Sequence, residues 1–209
     1  MGLSEKFDNV ADGFAEAEYA DAVYYNRRRA EAAFSIGPEL PVGATVLDLG
    51  CADASFAEEV LARGYRYVGV DSSPGMCDAA RRRLGDRGTI EQGDFLGYEP
   101  HEPVDATVVL RAFYLIGDRV ELLRHVGGYT RTKIVFDLSS RQVPLARIEE
   151  EARLAGFDRL DMRPFFVSLR VVPPRPLDAA LRALERSGPL ARAIAAHRFR
   201  VFCAAYRSG

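Results

Sequence analysis

Two carboxylates in this chain stand where they could hold a nucleoside. Asp48 lies inside Thr45-Val-Leu-Asp-Leu-Gly-Cys-Ala-Asp-Ala-Ser55, which reads as a buried strand running into a tight loop of small residues and then a helix start. Asp71 ends the next apolar run, Tyr67-Val-Gly-Val-Asp71, 23 residues after Asp48. A strand, a small-residue turn, a helix and a second strand closed by an acid grip a ribose at the carboxyl edge of a parallel sheet. The charge on the loop selects among nucleotide cofactors. A dinucleotide lays an anionic pyrophosphate over bare backbone N–H groups and wants glycine at each close approach. Here Asp48 and Asp53 flank the loop, whose spacing is Gly50-x-Ala52-x-Ala54. Each anion at roughly 4 to 6 Å would repel a pyrophosphate by about 1 to 4 kcal/mol. A cationic ligand is attracted instead, which makes a nicotinamide-dependent oxidoreductase a distant reading.

At these residues the chain resembles the class I S-adenosylmethionine-dependent methyltransferases. Asp48-Leu-Gly50-Cys-Ala52-Asp-Ala54 resembles their first motif, an acid followed by a glycine-rich loop. Asp71 stands where the family's acid holds both ribose hydroxyls. Gly93-Asp94-Phe95 is similar to the third-strand signature, in which the acid accepts from the adenine amine and its neighbour packs on the ring. Val104-Asp-Ala-Thr-Val-Val-Leu110 is similar to the fourth strand, whose exit loop faces the reacting groups. The resemblance implies S-adenosylmethionine as cofactor and S-adenosylhomocysteine as product. It places cofactor contacts at Asp48, Gly50, Ala52, Asp71, Ser72, Met76, Asp94, Phe95 and Arg111. The chain departs from the pattern at Ala52 and Ala54, where the family more often has glycine, because an alanine side chain disfavours positive φ and thickens the loop by a methyl.

Methyl transfer asks mostly for positioning and desolvation, because the sulfonium charge disappears in the transition state. A hydroxyl or ammonium acceptor also needs a base within hydrogen-bond reach. Residues at the carboxyl edge are the candidates for catalysis: Arg111 and Tyr114 after the fourth strand and Asp137 at the end of the fifth. Arg141 lies nearby, and Tyr24 or Tyr25 could arrive on N-terminal helices. Each has a plainer reading. Asp137 could cap an exit loop, Tyr114 could be a pocket wall, and Arg111 could either bind an acidic acceptor bidentately or pair with Asp48, Asp94 or Asp137. His101 and His125 read as loop and surface residues. No metal-ligand spacing appears, and Cys51, Cys77 and Cys203 form neither a zinc motif nor a disulfide framework. Cys51 reads as small buried packing.

Alternating elements position these residues. Helical patterning at 9–34 ends at Gly37-Pro38. Strands follow at about 45–49, 65–71, 89–92, 104–111 and 132–138, separated by helices at 55–63, 74–84 and 118–126. A helix at 145–156, strands at 157–169 and 198–206, and an amphipathic stretch at 177–197 broken at Gly188-Pro189 complete the chain. The expected fold is α/β, a doubly wound, mostly parallel sheet of seven strands. Within one domain spanning 1–209, residues 1–40 read as cap helices, 41–172 as the Rossmann-like core, 173–197 as a helical insertion and 198–209 as the last strand. In the family the last two strands are joined by a hairpin, so the insertion reads either as a shaper of the acceptor pocket or as a packing pair or homodimer contact.

Composition bounds the partners. The chain has 209 residues, 48% hydrophobic content and a formal net charge of −2. Its pI near 6.0 gives no general drive toward nucleic acid. No N/D-P-P-Y/F base-methylation motif follows the fourth strand, where Arg111-Ala-Phe-Tyr114 stands, so no nucleic-acid partner is expected. No secretory signal and no run of 18 apolar residues is present, and a cytoplasmic setting is expected. From Arg163 onward, nine arginines face only Asp178 and Glu185. The leading expectation is O- or N-methylation of a small molecule. A methyltransferase acting on a lipid or lipid-linked glycan at a membrane surface is a less favoured alternative, motivated by the arginine-bearing amphipathic stretch. A non-catalytic cofactor-binding module is the reading from another class.

Overall fold

The computed structural model describes residues 13–195 and 199–208. The expected helix start at 9–12 and the end of the insertion at His197 lie outside them. The described chain opens with α1 (Phe14–Glu18) and α2 (Ala22–Phe34). Asp21 starts α2 by accepting from the Tyr24 N–H at 2.8 Å. The sheet then builds from β1 (Thr45–Leu49), β2 (Arg66–Asp71), β3 (Thr89–Gln92), β4 (Val104–Val109) and β5 (Thr130–Ser139). Between them run α3 (Ala57–Leu61), α4 (Pro74–Leu84) and α5 (Arg119–Tyr129). After β5 come α6 (Leu145–Leu154), β6 (Arg159–Phe165), the insertion helices α7 (Arg175–Glu185) and α8 (Pro189–Ala195), and β7 (Arg200–Tyr206).

The seven strands lie in the order β3-β2-β1-β4-β5-β7-β6. The first five are parallel, and β7 pairs antiparallel with both β5 and β6. Strand order therefore reverses between β1 and β4, and their exits diverge into a crevice at the carboxyl edge. Both faces are covered, which is why β1 and β4 are nearly continuous apolar runs. Leu47, Leu49, Val109 and Phe136 join α5 and α6 through Leu122, Val126, Ile148 and Ala152 in one core. Val46, Val108 and Phe202 join α2, α3 and α4 through Ala30, Ala33, Val60, Ala80 and Leu84 in the other.

Local chemistry sets most boundaries. Ser73 caps α4 by accepting from Met76 N, with Pro74 at the first helical position. Helix α5 continues past its expected end through Gly127 and Gly128, and a side chain at Gly127 would stand 2.8 Å from Phe157. Two strands end earlier than their apolar runs suggest. β4 stops at Val109 because the backbone turns at Arg111, whose φ is 60°. β6 stops at Phe165, and the segment after it leaves the sheet to brace α1, with Leu169 O accepting from Ala20 N at 2.8 Å.

The insertion docks through charge. Arg28 on α2 is buried and donates to Glu185 Oε2 at 2.8 Å and Glu31 Oε2 at 3.2 Å, and it pairs with Asp178 at 3.1 Å. Tyr24 donates to Asp178 at 2.6 Å, and Arg182 pairs with both Asp178 and Glu31. Glu185 also accepts from the Phe166 N–H at 2.9 Å. Thus α7 turns Asp178, Arg182 and Glu185 toward α2 and leaves Leu177 exposed. Among the described residues, no helix is long and apolar enough to cross a membrane. Removing Arg28 leaves the buried Glu185 without its ion partner, since Asp178 and Glu31 keep Arg182, so Arg28→Met should cost about 3 to 5 kcal/mol in urea denaturation. Adding Glu185→Gln to that variant should recover part of the loss.

Candidate active site

The crevice between the exits of β1 and β4 opens into a cavity of about 420 Å³. The β1 exit loop supplies Asp48, Gly50, Cys51, Ala52 and Asp53, and the β2 exit supplies Asp71 and Ser72. Met76 on α4, Phe95 after β3, and Arg111 and Tyr114 after β4 complete that side. Phe14, Glu18 and Tyr19 of the α1 region and Arg29 of α2 close the other.

The loop takes the conformation that glycines would take. Gly50, Ala52 and Ala54 have φ of 79°, 48° and 54°. Each alanine there costs about 1 to 2 kcal/mol, and Asp71 helps to hold the first by accepting from Ala52 N at 2.9 Å. Its other oxygen accepts from Ser73 N at 2.9 Å. These two amides take one lone pair on each carboxylate oxygen. Gly50 is required by space as well as by φ, because a side chain there would meet Ala112 at 3.0 Å and the Phe95 ring at 3.1 Å.

Asp48 is 3% exposed and accepts from the Tyr67 hydroxyl at 2.8 Å. Burial pushes its carboxyl up to about 6, with the Tyr67 hydrogen bond and the Arg29 charge pulling it back. Asp53 differs from the sequence expectation of a loop flanked by two bare anions. It is 2% exposed and paired with Arg83 at 2.8 Å, so its charge is already met. Cys51 is buried packing, and burial raises its thiol well above the ordinary range.

Arg29 is the residue that sequence reading missed. It is 6% exposed, lies 5.1 Å over the Phe56 ring, and donates to Asn26 Oδ1 at 2.9 Å. Its Nε has no partner and no described carboxylate lies within 4.0 Å, although the residue lines the cavity. In sequence it sits in the run Arg27-Arg28-Arg29, where nothing separates an exposed arginine from two buried ones.

Other expected residues fall differently. Asp94 is absent from the cavity lining; its Oδ1 folds back onto its own turn, accepting from Leu96 N at 2.9 Å and Gly97 N at 2.8 Å. Asp137, expected as a catalytic group, is 1% exposed and does not line the cavity either. One of its oxygens accepts from the Arg111 backbone N–H and the other from Arg200, so it is a holder of the β4 exit. The Arg111 guanidinium pairs with Glu18 at 2.7 Å and donates to the Tyr19 hydroxyl at 3.1 Å, not to Asp48, Asp94 or Asp137 side chains. Tyr24 and Tyr25 stay out of the cavity; Tyr19 arrives instead, stacked on Tyr25 at 4.5 Å. Arg141 is exposed beyond β5.

Comparison with known proteins gives the family and the fold. Residues 46–133 match the family model described as a methyltransferase domain. The chain is 30% identical over 184 residues to an uncharacterized methyltransferase of Geobacillus thermodenitrificans, covering 81% of this chain and 80% of that one. Among solved structures it is similar to the putative methyltransferase complexed with the Trm112 activator of Haloferax volcanii, at a TM-score of 0.67 and 18% identity over 97% and 98% of the chains. It is also similar to an S-adenosylmethionine-dependent methyltransferase of Thiobacillus denitrificans solved with S-adenosylhomocysteine, at a TM-score of 0.60 and 18% identity over 99% of each. The chain belongs to the class I methyltransferase family, and it is an S-adenosylmethionine-dependent enzyme.

Were S-adenosylmethionine to bind against Asp48, its sulfonium and ammonium would favour the ionised carboxylate. The sign follows from the raised value: a protein that holds this proton up to about pH 6 would have to release it on binding. Affinity for S-adenosylmethionine should therefore be flat above pH 7 and weaken about tenfold by pH 5. Calorimetric titration across that range checks it, and Asp48→Asn should bind more weakly and lose the dependence.

Proposed function

We propose that the protein methylates a small-molecule acceptor at oxygen or nitrogen, and that the acceptor enters beside Arg111 and Tyr114. The observation that carries this reading is one cavity whose lining runs from Asp48, Gly50 and Asp71 to Arg111 and Tyr114. The residues fit the cofactor. Arg29, with its buried and unpartnered Nε, would take the carboxylate of the methionine part. Asp48 would face the ammonium, Asp71 the ribose hydroxyls, and Phe95 the adenine, while Gly50, Ala52, Ser72 and Met76 shape the floor. When bound, S-adenosylmethionine supplies a methyl group activated by its sulfonium charge.

On the acceptor side, Arg111 offers a guanidinium already oriented by Tyr19 and matched by Glu18. An acidic acceptor would replace Glu18 on Arg111. The freed Glu18 carboxylate would then be the base that receives a hydroxyl or ammonium proton, the part first expected of Asp137. Tyr114, 44% exposed, stands as wall at the mouth.

Asp71→Ala and Arg29→Gln should each weaken S-adenosylmethionine binding at least tenfold by calorimetry. Unchanged affinity in both would overturn the site assignment. In a screen of carboxylate-bearing hydroxyl and amine acceptors, Glu18→Gln should lower kcat by about 10² or more while leaving cofactor affinity in place. A lipid-linked acceptor is the second reading, supported by exposed Val171, Val172 and Leu177 beside the insertion. Methylation of vesicle-borne but not soluble acceptors would favour it.

A further inference from the structure

A guanidinium taken out of water needs an anion beside it. Among the described arginines that are buried or half-buried, Arg28, Arg63, Arg83, Arg111, Arg119, Arg182 and Arg200 each have a carboxylate partner. Arg29 and Arg163 do not. Arg29 lies in the cofactor cavity, and Arg163 lies in a second cleft of about 580 Å³ that shares no lining residue with the first.

This cleft is formed by the exit of α2, the middle of β6 and the start of α8. Arg163 projects from β6 and donates only to neutral oxygens, the hydroxyl and carbonyl of Ser35. Burial, and next the nearby charge of Arg186, hold its guanidinium below the ordinary arginine range. Arg186 is exposed and has no described carboxylate within 4.0 Å. Arg192 lines the cleft from α8, and its ion pair is a loose one with Glu149 at 3.6 Å. Asp161 is the one acid in the lining; its Oδ2 accepts from Gly37 N and the Tyr206 hydroxyl, both at 3.2 Å, and it has no described cation within 4.0 Å, so one negative charge faces Arg163, Arg186 and Arg192. Glu185, the other acid felt by Arg163, is committed to Arg28 and Phe166 N. The cluster thus has more positive charge than the protein neutralises, gathered around a concave space.

We propose that this cleft binds a phosphate group, with Arg163 and Arg192 as the binding guanidiniums and Arg186 as a flanking charge. A multi-oxygen tetrahedral anion can accept from separate guanidiniums at once, whereas one carboxylate is satisfied by a single fork. The group can belong to a soluble phosphate ester or to a lipid headgroup, which present the same oxygens to the cleft.

The test uses the full chain saturated with S-adenosylhomocysteine, so that the first cavity is filled. Thermal unfolding is followed with added inorganic phosphate against chloride at matched ionic strength. The unfolding temperature should rise with phosphate beyond the chloride control, because a ligand that binds only the folded state stabilises it. Arg192→Gln, an exposed change that leaves the fold alone, should shift the phosphate midpoint about tenfold higher. Arg163→Gln should do the same. Because Arg163 also holds the end of α2, the readout is the phosphate-dependent increment and not the starting temperature. Equal responses to phosphate and chloride, or an unaltered increment in both variants, would overturn the proposal. Cosedimentation with phosphatidylcholine vesicles, with and without phosphatidylglycerol, separates the sources. Anionic-vesicle binding lost in both variants assigns a lipid headgroup; a phosphate response without vesicle binding assigns a soluble ester.

Discussion

Asp137 lies beneath the carboxyl edge with both oxygens engaged, one by the Arg111 backbone and one by Arg200 of β7. A carboxylate so deep must be paired and hydrogen-bonded or be protonated. Meeting that demand shapes the site above it. The bond to the Arg111 N–H fixes the β4 exit where φ reaches 60°, a conformation that needs surrounding support in a residue other than glycine. With its backbone held, Arg111 aims at Glu18 and Tyr19 and draws the α1 region over the crevice. One buried charge thereby links the sheet core to the element that closes the cavity.

The β1 exit loop solves a related problem by different means. Its two alanines are held in left-handed geometry that glycine would adopt freely, supported by Asp71 and by close packing of Gly50 against Phe95 and Ala112. Asp53 and Arg83 cancel one another, whereas neither Asp48 nor Arg29 has an oppositely charged partner within 4.0 Å among the described residues. The cavity therefore presents one buried group of each sign, which matches a ligand that is itself zwitterionic at its methionine end.

The N-terminal helices and the insertion behave as one unit, far apart in sequence and joined through Arg28, Asp178, Glu185 and Arg182. An ionic contact of this kind is directional. It fixes the placement of α7 more narrowly than an apolar stripe would, and it leaves the leucine side of that helix partly open. The same region carries the arginine excess, part of which is consumed internally; Arg163 and Arg186 have no described carboxylate partner, and Arg192 has only the loose pair with Glu149.

Much of this was legible in the residues. The alternation of strands and helices, the Ser73-Pro74 helix start, the break at Gly188-Pro189 and the small-residue turn after Asp48 with Asp71 closing the next strand are local signals, because capping, backbone restriction and hydrophobic period act over a few residues. The order of chemistry along the chain followed from them. Partner choice was not legible, since it depends on which charges the fold brings together. Asp94 turns onto its own loop amides by a local Asx-type contact that the sequence reading passed over, whereas nothing near Asp137 says that Arg111 and Arg200 occupy it. Likewise, three consecutive arginines at 27–29 look alike in the sequence; only their orientation on α2 sends Arg28 to the insertion, Arg29 into the cavity and Arg27 to solvent. Sequence determined the elements and the small-residue loop after β1, because those are set by short-range sterics and periodicity. Tertiary structure alone decided which charges are satisfied and which are left for a ligand, because electrostatic pairing in a low-dielectric interior is settled by distance in space.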